Sequence, residues 1–123
     1  MKFLTPIIAA GILLSGSPVF AHETGSGPNG GRVTDAGKYH VELVAKDMVV
    51  DVYVLDGSEK PVPAAGFKAT AILVANGKPA RIALAPADGS RLTGTSEVPL
   101  TSAPKGAVQL TAPDGSTASG RFN

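Results

Sequence analysis

Two histidines and a few carboxylates are the residues of this chain whose types and spacing could do chemistry. His40 and Glu42 stand two apart in the stretch KYHVELV. Because alternate residues of a β-strand point to the same side, this spacing places an imidazole and a carboxylate together. Asp51 lies on the next apolar run, and a tight turn between the two runs would bring it opposite Glu42. Imidazole nitrogen with carboxylate oxygen is a ligand combination that suits Cu(II) or Zn(II).

The other histidine, His22, is a candidate ligand because of the sequence that precedes it. Residues 1–21 carry one lysine, an apolar run and the ending Val-Phe-Ala, which is typical of a cleavable secretory signal peptide. A cut after Ala21 would make His22 the first residue, so that its free amine and ring nitrogen could chelate Cu(II) together. The predicted metal ligands are His40 and Glu42 as the primary pair, with His22 and Asp51 as auxiliary ligands.

Composition excludes several other kinds of chemistry. The chain has no cysteine, so disulfides and thiolate metal sites are excluded. Lys and Arg number 11 against 10 Asp and Glu, and without a basic cluster we expect neither nucleic-acid binding nor membrane insertion of the mature chain. There is also no Gly-x-Ser-x-Gly elbow, phosphate-binding loop or dinucleotide fingerprint, so we expect a protein that is not an enzyme.

The elements that must position these residues are short strands. After a polar, Gly-rich stretch at residues 22–31, which we expect to be a flexible lead-in, turn pairs such as Asp56-Gly57 and Asn76-Gly77 separate runs of Val, Ile, Leu and Thr. This punctuation, without a helical period, predicts an all-β domain over residues 32–123. Its architecture should be a single antiparallel β-sandwich of immunoglobulin-like type or a partly open barrel.

The first hairpin should place Val41, Leu43 and Ala45 on the core face of the sheet. A two-residue turn at Lys46-Asp47 would then set Glu42 opposite Asp51 on the outer face. Two carboxylates facing each other repel unless a cation relieves them, which again favours a metal there.

Two further hairpins follow from turn chemistry. Asn76-Gly77 predicts a hairpin that pairs Leu73 with Ala80, and Pro79 in its second strand indicates a sheet edge because proline has no N–H to donate. At the carboxyl end, a three-residue loop at residues 114–116 would bring Phe122 onto the core face, where it should anchor the last strand.

The stretch GPNGGRVTDAGKYHVELV resembles a motif found in small exported bacterial proteins of unassigned function and in the amino-terminal periplasmic region of heavy-metal efflux adaptor subunits. That motif reads Gly-Pro-His-Gly-Gly and, after a short gap, Gly-x-x-His/aliphatic-x-Glu-Leu/Val. Gly30, Gly31, His40 and Glu42 match it, whereas Asn29 stands where a histidine often occurs. The resemblance covers residue 27 to about residue 55, and it implies a periplasmic β domain in a setting of heavy-metal resistance.

Two functions are therefore expected from the sequence. The first is a soluble periplasmic protein that binds Cu or Zn as a carrier, a buffer or an accessory to metal efflux, with an efflux adaptor or another envelope protein as its partner. Small periplasmic copper-resistance proteins, which this chain resembles loosely in size, fold class and the position of His22, support that chemistry. The alternative is a metal-free structural or interaction domain that binds an envelope protein through a sheet edge, with the strand containing Pro79 as the candidate surface.

Overall fold

A computed structural model describes residues 25–123 of the chain, and these residues form strands and turns only. The signal peptide predicted at residues 1–21, its cut and His22 lie outside the described residues. The described part contains no helix that is long and apolar enough to cross a membrane. Its strands are β1 (Gly25–Ser26), β2 (Arg32–Ala36), β3 (Tyr39–Lys46), β4 (Val49–Leu55), β5 (Lys68–Ala75), β6 (Lys78–Pro86), β7 (Arg91–Thr95), β8 (Gly106–Thr111) and β9 (Thr117–Phe122).

All of these strands pair antiparallel in one curled sheet shaped as a half-barrel, which confirms the predicted all-β class. The strand order is β1-β2-β3-β4-β7-β6-β5-β8-β9. Strand β6 joins the two halves, because it pairs with β5 along most of its length and with β7 only at Ala85 and Pro86. The core lies inside the curl, where buried Val, Leu, Ile and Ala side chains from both halves meet.

The β3–β4 hairpin keeps the predicted faces but not the predicted pairing. Its turn is Asp47-Met48, one residue later than expected, and Ala45 pairs with Val50. Asp47 has a φ of 57°, a left-handed conformation that Asp adopts more readily than Lys, which explains the shift. Moving a turn by one residue moves the pairing by two, so every side chain keeps its face.

As a result, Glu42 lies opposite Tyr53, and the prediction that it faces Asp51 is wrong. The local conflict between two carboxylates that favoured a metal at this position is therefore absent from the hairpin.

The other two hairpins follow the sequence closely. The Asn76-Gly77 turn has positive φ at both residues, as a tight hairpin turn requires, and Leu73 pairs with Ala80 as predicted. In the β8–β9 hairpin the loop has an odd length, as predicted, but it is centred one residue earlier, since Ala112 N–H donates to Ser116 O at 2.8 Å. Phe122 is buried, with 1% of its surface exposed, which confirms its place in the core.

Packing, not a hydrogen-bonded ladder, closes the half-barrel between β2 and β9. Gly120 lies so near β2 that a Cβ there would be 2.8 Å from Thr34 Cγ2 and 2.9 Å from Asp35 O. Arg32 ties the same edges, because its guanidinium lies 5.3 Å from the centre of the Phe122 ring and donates to the backbone oxygen of Pro104. The two sheet edges are thereby held against each other by a glycine and an arginine.

Candidate functional site

Glu42 is fully buried beneath residues 25–31, the stretch expected to be part of a flexible lead-in. Ser26 of β1 pairs with Arg32, and a tight turn follows in which Gly27 N–H donates to Gly31 O at 2.9 Å. This turn lies against the Glu42 carboxylate so closely that a Cβ on Gly27 would overlap Glu42 Cδ. Because alternation does put Glu42 on the outer face, its burial comes from this covering turn.

Three donors hold the Glu42 carboxylate. Asn29 N–H donates to Oε2 at 2.8 Å, Gly31 N–H donates to the same oxygen at 2.8 Å, and Asn29 Nδ2 donates to Oε1 at 2.9 Å. A buried carboxylate needs such partners, because burying an unpaired charge is very costly. The carboxylate therefore fastens the turn to the sheet, and in this arrangement its oxygens do not face solvent.

His40 lies on the same outer face, between two carboxylates that the sequence did not single out. Its Nε2 is 3.0 Å from Asp35 Oδ1 on β2, and its Nδ1 is 3.8 Å from Glu59 Oε2 in the loop after β4. Nδ1 is buried and has no hydrogen-bond partner within residues 25–123. The neighbours of His40 are thus Asp35 and Glu59 on opposite sides of the ring, while Glu42 is occupied by the turn.

Asp51 is held by an arginine. Arg91 on β7 reaches Asp51 Oδ1 with Nη1 at 3.2 Å and Asp88 Oδ1 with Nε at 2.9 Å. The hydrogen bond from Arg91 holds the pKa of Asp88 below its ordinary value, and the same bond raises the pKa of Arg91. The cation that relieves Asp51 is therefore part of the protein, forty positions further along the chain.

These contacts separate the predicted metal ligands. Of the four, His22 lies outside the described residues. Glu42 accepts hydrogen bonds from the covering turn. Asp51 forms an ion pair with Arg91, and His40 contacts Asp35. Among residues 25–123 no group of three or more His, Asp and Glu side chains could hold a metal ion.

A different surface, the outer edge of β6 over residues 78–81, has backbone groups that are free to bind another chain. Val74 N–H donates to Lys105 O at 2.8 Å, so the backbone of Val74 faces β8. Pro79 pairs with Val74, so the backbone of Pro79 points away from β5. Backbone direction repeats every two residues along a strand, so the N–H and C=O of Arg81 also point away from β5. Within the described part of the chain neither the N–H nor the C=O of Arg81 has a backbone partner.

The prediction that Pro79 marks an edge is confirmed for this first part of β6, whereas the end of the strand is internal. The edge borders a groove of about 710 Å³ between the β5–β6 hairpin and the loop after β7. Its floor and walls are formed by Ala75, Asn76, Lys78, Pro79, Ala80, Arg81, Glu97 and Val98.

Exposed apolar side chains continue from this edge onto the outer face of β5. Ile72 and Val74 pair across with Arg81 and Pro79, and their exposed fractions are 36% and 46%. Val98, on the opposite side of the groove, is 38% exposed. An unpaired strand edge next to exposed aliphatic side chains is the kind of surface that accepts another chain.

Another concave surface, of about 320 Å³, lies where the β2–β3 and β8–β9 turns meet. The charged groups on its rim are already engaged within the chain. Asp114 accepts hydrogen bonds from Ser116 N–H and Oγ at 2.9 and 2.7 Å, and Lys38 Nζ lies 5.6 Å from the centre of the Tyr39 ring. The β6 groove is therefore the better candidate for binding.

Sequence reasoning found Pro79 but missed the rest of this site. Lys78 and Arg81 flank Pro79 and could have been read as charges guarding an edge, whereas Glu97 and Val98 reach the groove only through the fold. Comparisons of the chain with protein-family models, with curated proteins and with solved structures found no match.

Proposed function

We propose that this protein is a non-enzymatic interaction domain of the bacterial envelope that binds an extended segment of a partner protein along the free edge of β6. The observation that carries the proposal is the unpaired backbone at Arg81 beside an open groove. An added strand would supply the missing hydrogen bonds, as in other proteins that recognise peptides by strand addition. Of the two architectures expected from the sequence, we infer the partly open barrel, because β6 belongs to one continuous sheet.

The backbone geometry also limits how much of the edge can be used. Pro79 offers a carbonyl but no N–H, while Arg81 offers both groups. Beyond Arg81, Gly94 of β7 lies against the backbone oxygen of Ala83, and Ala85 is already paired. A partner segment would therefore dock along residues 78–81 and continue toward Asn76 and the groove.

Arg81→Pro tests this proposal while leaving the ladder to β5 intact. The substitution removes the one outward N–H of residues 78–81, and Arg81→Gln is its matched control because it removes the charge and keeps the N–H. A photoreactive residue placed at position 79 should give a discrete crosslinked product in the native host, and the same residue at exposed position 58 should not. We expect the product to disappear with Arg81→Pro and to persist with Arg81→Gln.

A product that persists unchanged in the Arg81→Pro variant would contradict strand addition at this edge. Thermal melting of both variants provides the folding control, since a melting temperature close to that of the wild type excludes loss of the product through unfolding.

Metal binding at His40 is a second candidate, favoured by one observation. His40 Nε2 and Asp35 Oδ1 are 3.0 Å apart, which suits two ligands of one divalent ion with bonds of about 2.0–2.2 Å. Asp35 would then act in place of Glu42, and His22 would have to supply the remaining donors. Micromolar Cu(II) or Zn(II) should then raise the melting temperature, because a ligand that binds the native state stabilises it. His40→Ala should abolish that gain; equal melting with and without metal would contradict this candidate.

A further inference from the structure

The charges in the β6 groove indicate what kind of segment it accepts. Two cationic side chains, Lys78 and Arg81, line it against one carboxylate, Glu97. All three side chains lack an ion-pair partner within residues 25–123. The cations lie on the edge strand itself, where an incoming strand would pair, whereas Glu97 lies across the groove on the loop after β7.

Because side chains alternate along β6, its two cations lie on different sides of the strand. Lys78 is on the same side as Ala80, and Arg81 is on the other. Arg81 is exposed on the outer face together with Pro79, whereas Ala80 points inward and is half-buried. Residues of an added strand would alternate in the same way. Outward residues would stand beside the Arg81 guanidinium, and inward residues would contact Ala80 and Val98.

Next to Ala80, the inward side of an added strand favours small or branched apolar side chains. Ala75, Ala80 and Val98 all line the groove, and none of them has a polar side-chain atom. Exposed Val98 would gain from apolar contact.

A second copy of this chain is a poorer occupant than another protein. If two β6 edges paired about a two-fold axis near Arg81, the two guanidinium groups would stand beside each other on the same face. Like charges directly opposite one another across a strand pair are destabilising. Charge complementarity instead favours a segment with carboxylates.

We propose, on the basis of the function proposed above, that the partner segment is an extended acidic strand. It places Asp or Glu on the outward side next to Arg81 and small apolar residues on the inward side against Ala80 and Val98. Backbone hydrogen bonds to Arg81 hold the partner segment against β6. The carboxylates of the segment distinguish it from segments without negative charge.

Two end-blocked peptides test this selection: Ala-Asp-Val-Asp-Val-Asp-Ala and its charge-reversed form with Lys at each Asp. Each is labelled and titrated with the protein in an anisotropy assay at low salt. We expect the acidic peptide to bind about two- to fivefold more tightly, since an exposed ion pair with Arg81 contributes about 0.2–1 kcal/mol. Arg81→Glu should remove or invert the preference, and Glu97→Gln should slightly strengthen binding of the acidic peptide.

The outcomes separate the two proposals. If both peptides bind equally and Arg81→Pro abolishes both, the edge is used but the acidic selection is wrong. If neither peptide binds, or if binding survives Arg81→Pro, both proposals are overturned. A concentration-dependent dimer in sedimentation that Arg81→Pro dissolves would instead identify a second copy as the occupant and overturn the acidic partner.

Discussion

The Glu42 carboxylate provides the sharpest test of how the outer face is built. Replacing it by Gln keeps the shape of the side chain and removes its charge, while Ala removes all three acceptor contacts. Hydrogen bonds to a charged group contribute about 1.5–3 kcal/mol each against about 0.5–1.5 kcal/mol for neutral ones. Because three bonds converge on one buried carboxylate, we expect Glu42→Gln to lower the free energy of unfolding by about 1–3 kcal/mol.

Glu42→Ala should be costlier, at about 2–4 kcal/mol, because it also leaves buried donors unpaired and opens space beneath the turn. For a domain of this size each kcal/mol corresponds to a shift of about 4–8 °C in melting temperature. Thermal and urea melts of the two variants, made with a chelator present, measure these changes. Glu97→Gln is the matched control, since Glu97 is exposed and should stay within about 0.5 kcal/mol of the wild type.

The result also separates a structural carboxylate from a metal ligand. If Glu42 faced solvent and waited for a metal, its loss would leave the metal-free protein unchanged. Melting temperatures within about 2 °C of the wild type for both Glu42 variants would therefore refute the role of this carboxylate in holding the turn.

Two other substitutions and one deletion test the closure of the half-barrel and its turns. Gly120→Ala should destabilise the domain by about 1–3 kcal/mol in urea melts, because its Cβ would press into β2; unchanged stability would argue against close contact of β2 and β9. Deleting Phe122 and Asn123 should cost about 3–5 kcal/mol through loss of the buried ring, whereas deleting Asn123 alone should have a small effect on the melting temperature. Hydrogen bonds from Ser116 lower the pKa of Asp114, so its contribution to stability is present above the unfolded value near pH 4 and is lost as pH falls through the lower folded value. Asp114→Asn should thus reduce stability at neutral pH and flatten its decline in acid; an unchanged acid profile would contradict this role.

Local sequence patterns predicted most of the sheet. Alternation placed Val41 and Leu43 in the core, and Asn76-Gly77 fixed the β5–β6 register because few dipeptides adopt that turn so readily. The β3–β4 turn was misplaced because Lys46-Asp47 and Asp47-Met48 give the same alternation. Only the preference of Asp for positive φ distinguishes the two positions.

The site was harder to predict because its contacts join residues far apart in the chain. The alternation of β3 places Glu42 outward, but nothing local says that a turn thirteen residues earlier covers it. The Asn29-Gly30 pair within GPNGG was the available sign of that turn, and it was overshadowed by the Gly-rich composition of the stretch. Likewise, the arginine that neutralises Asp51 arrives from β7, so no spacing rule within the first hairpin could reveal it.

Amide hydrogen exchange along β6 tests the central claim most directly. In the free protein, the N–H of Arg81 should exchange much faster than those of Ala80 and Ile82, which face β5, and the acidic peptide should slow Arg81 selectively. An Arg81 amide that is already as protected as its two neighbours would mean that the edge is not open, and the proposed binding of a partner strand would fail.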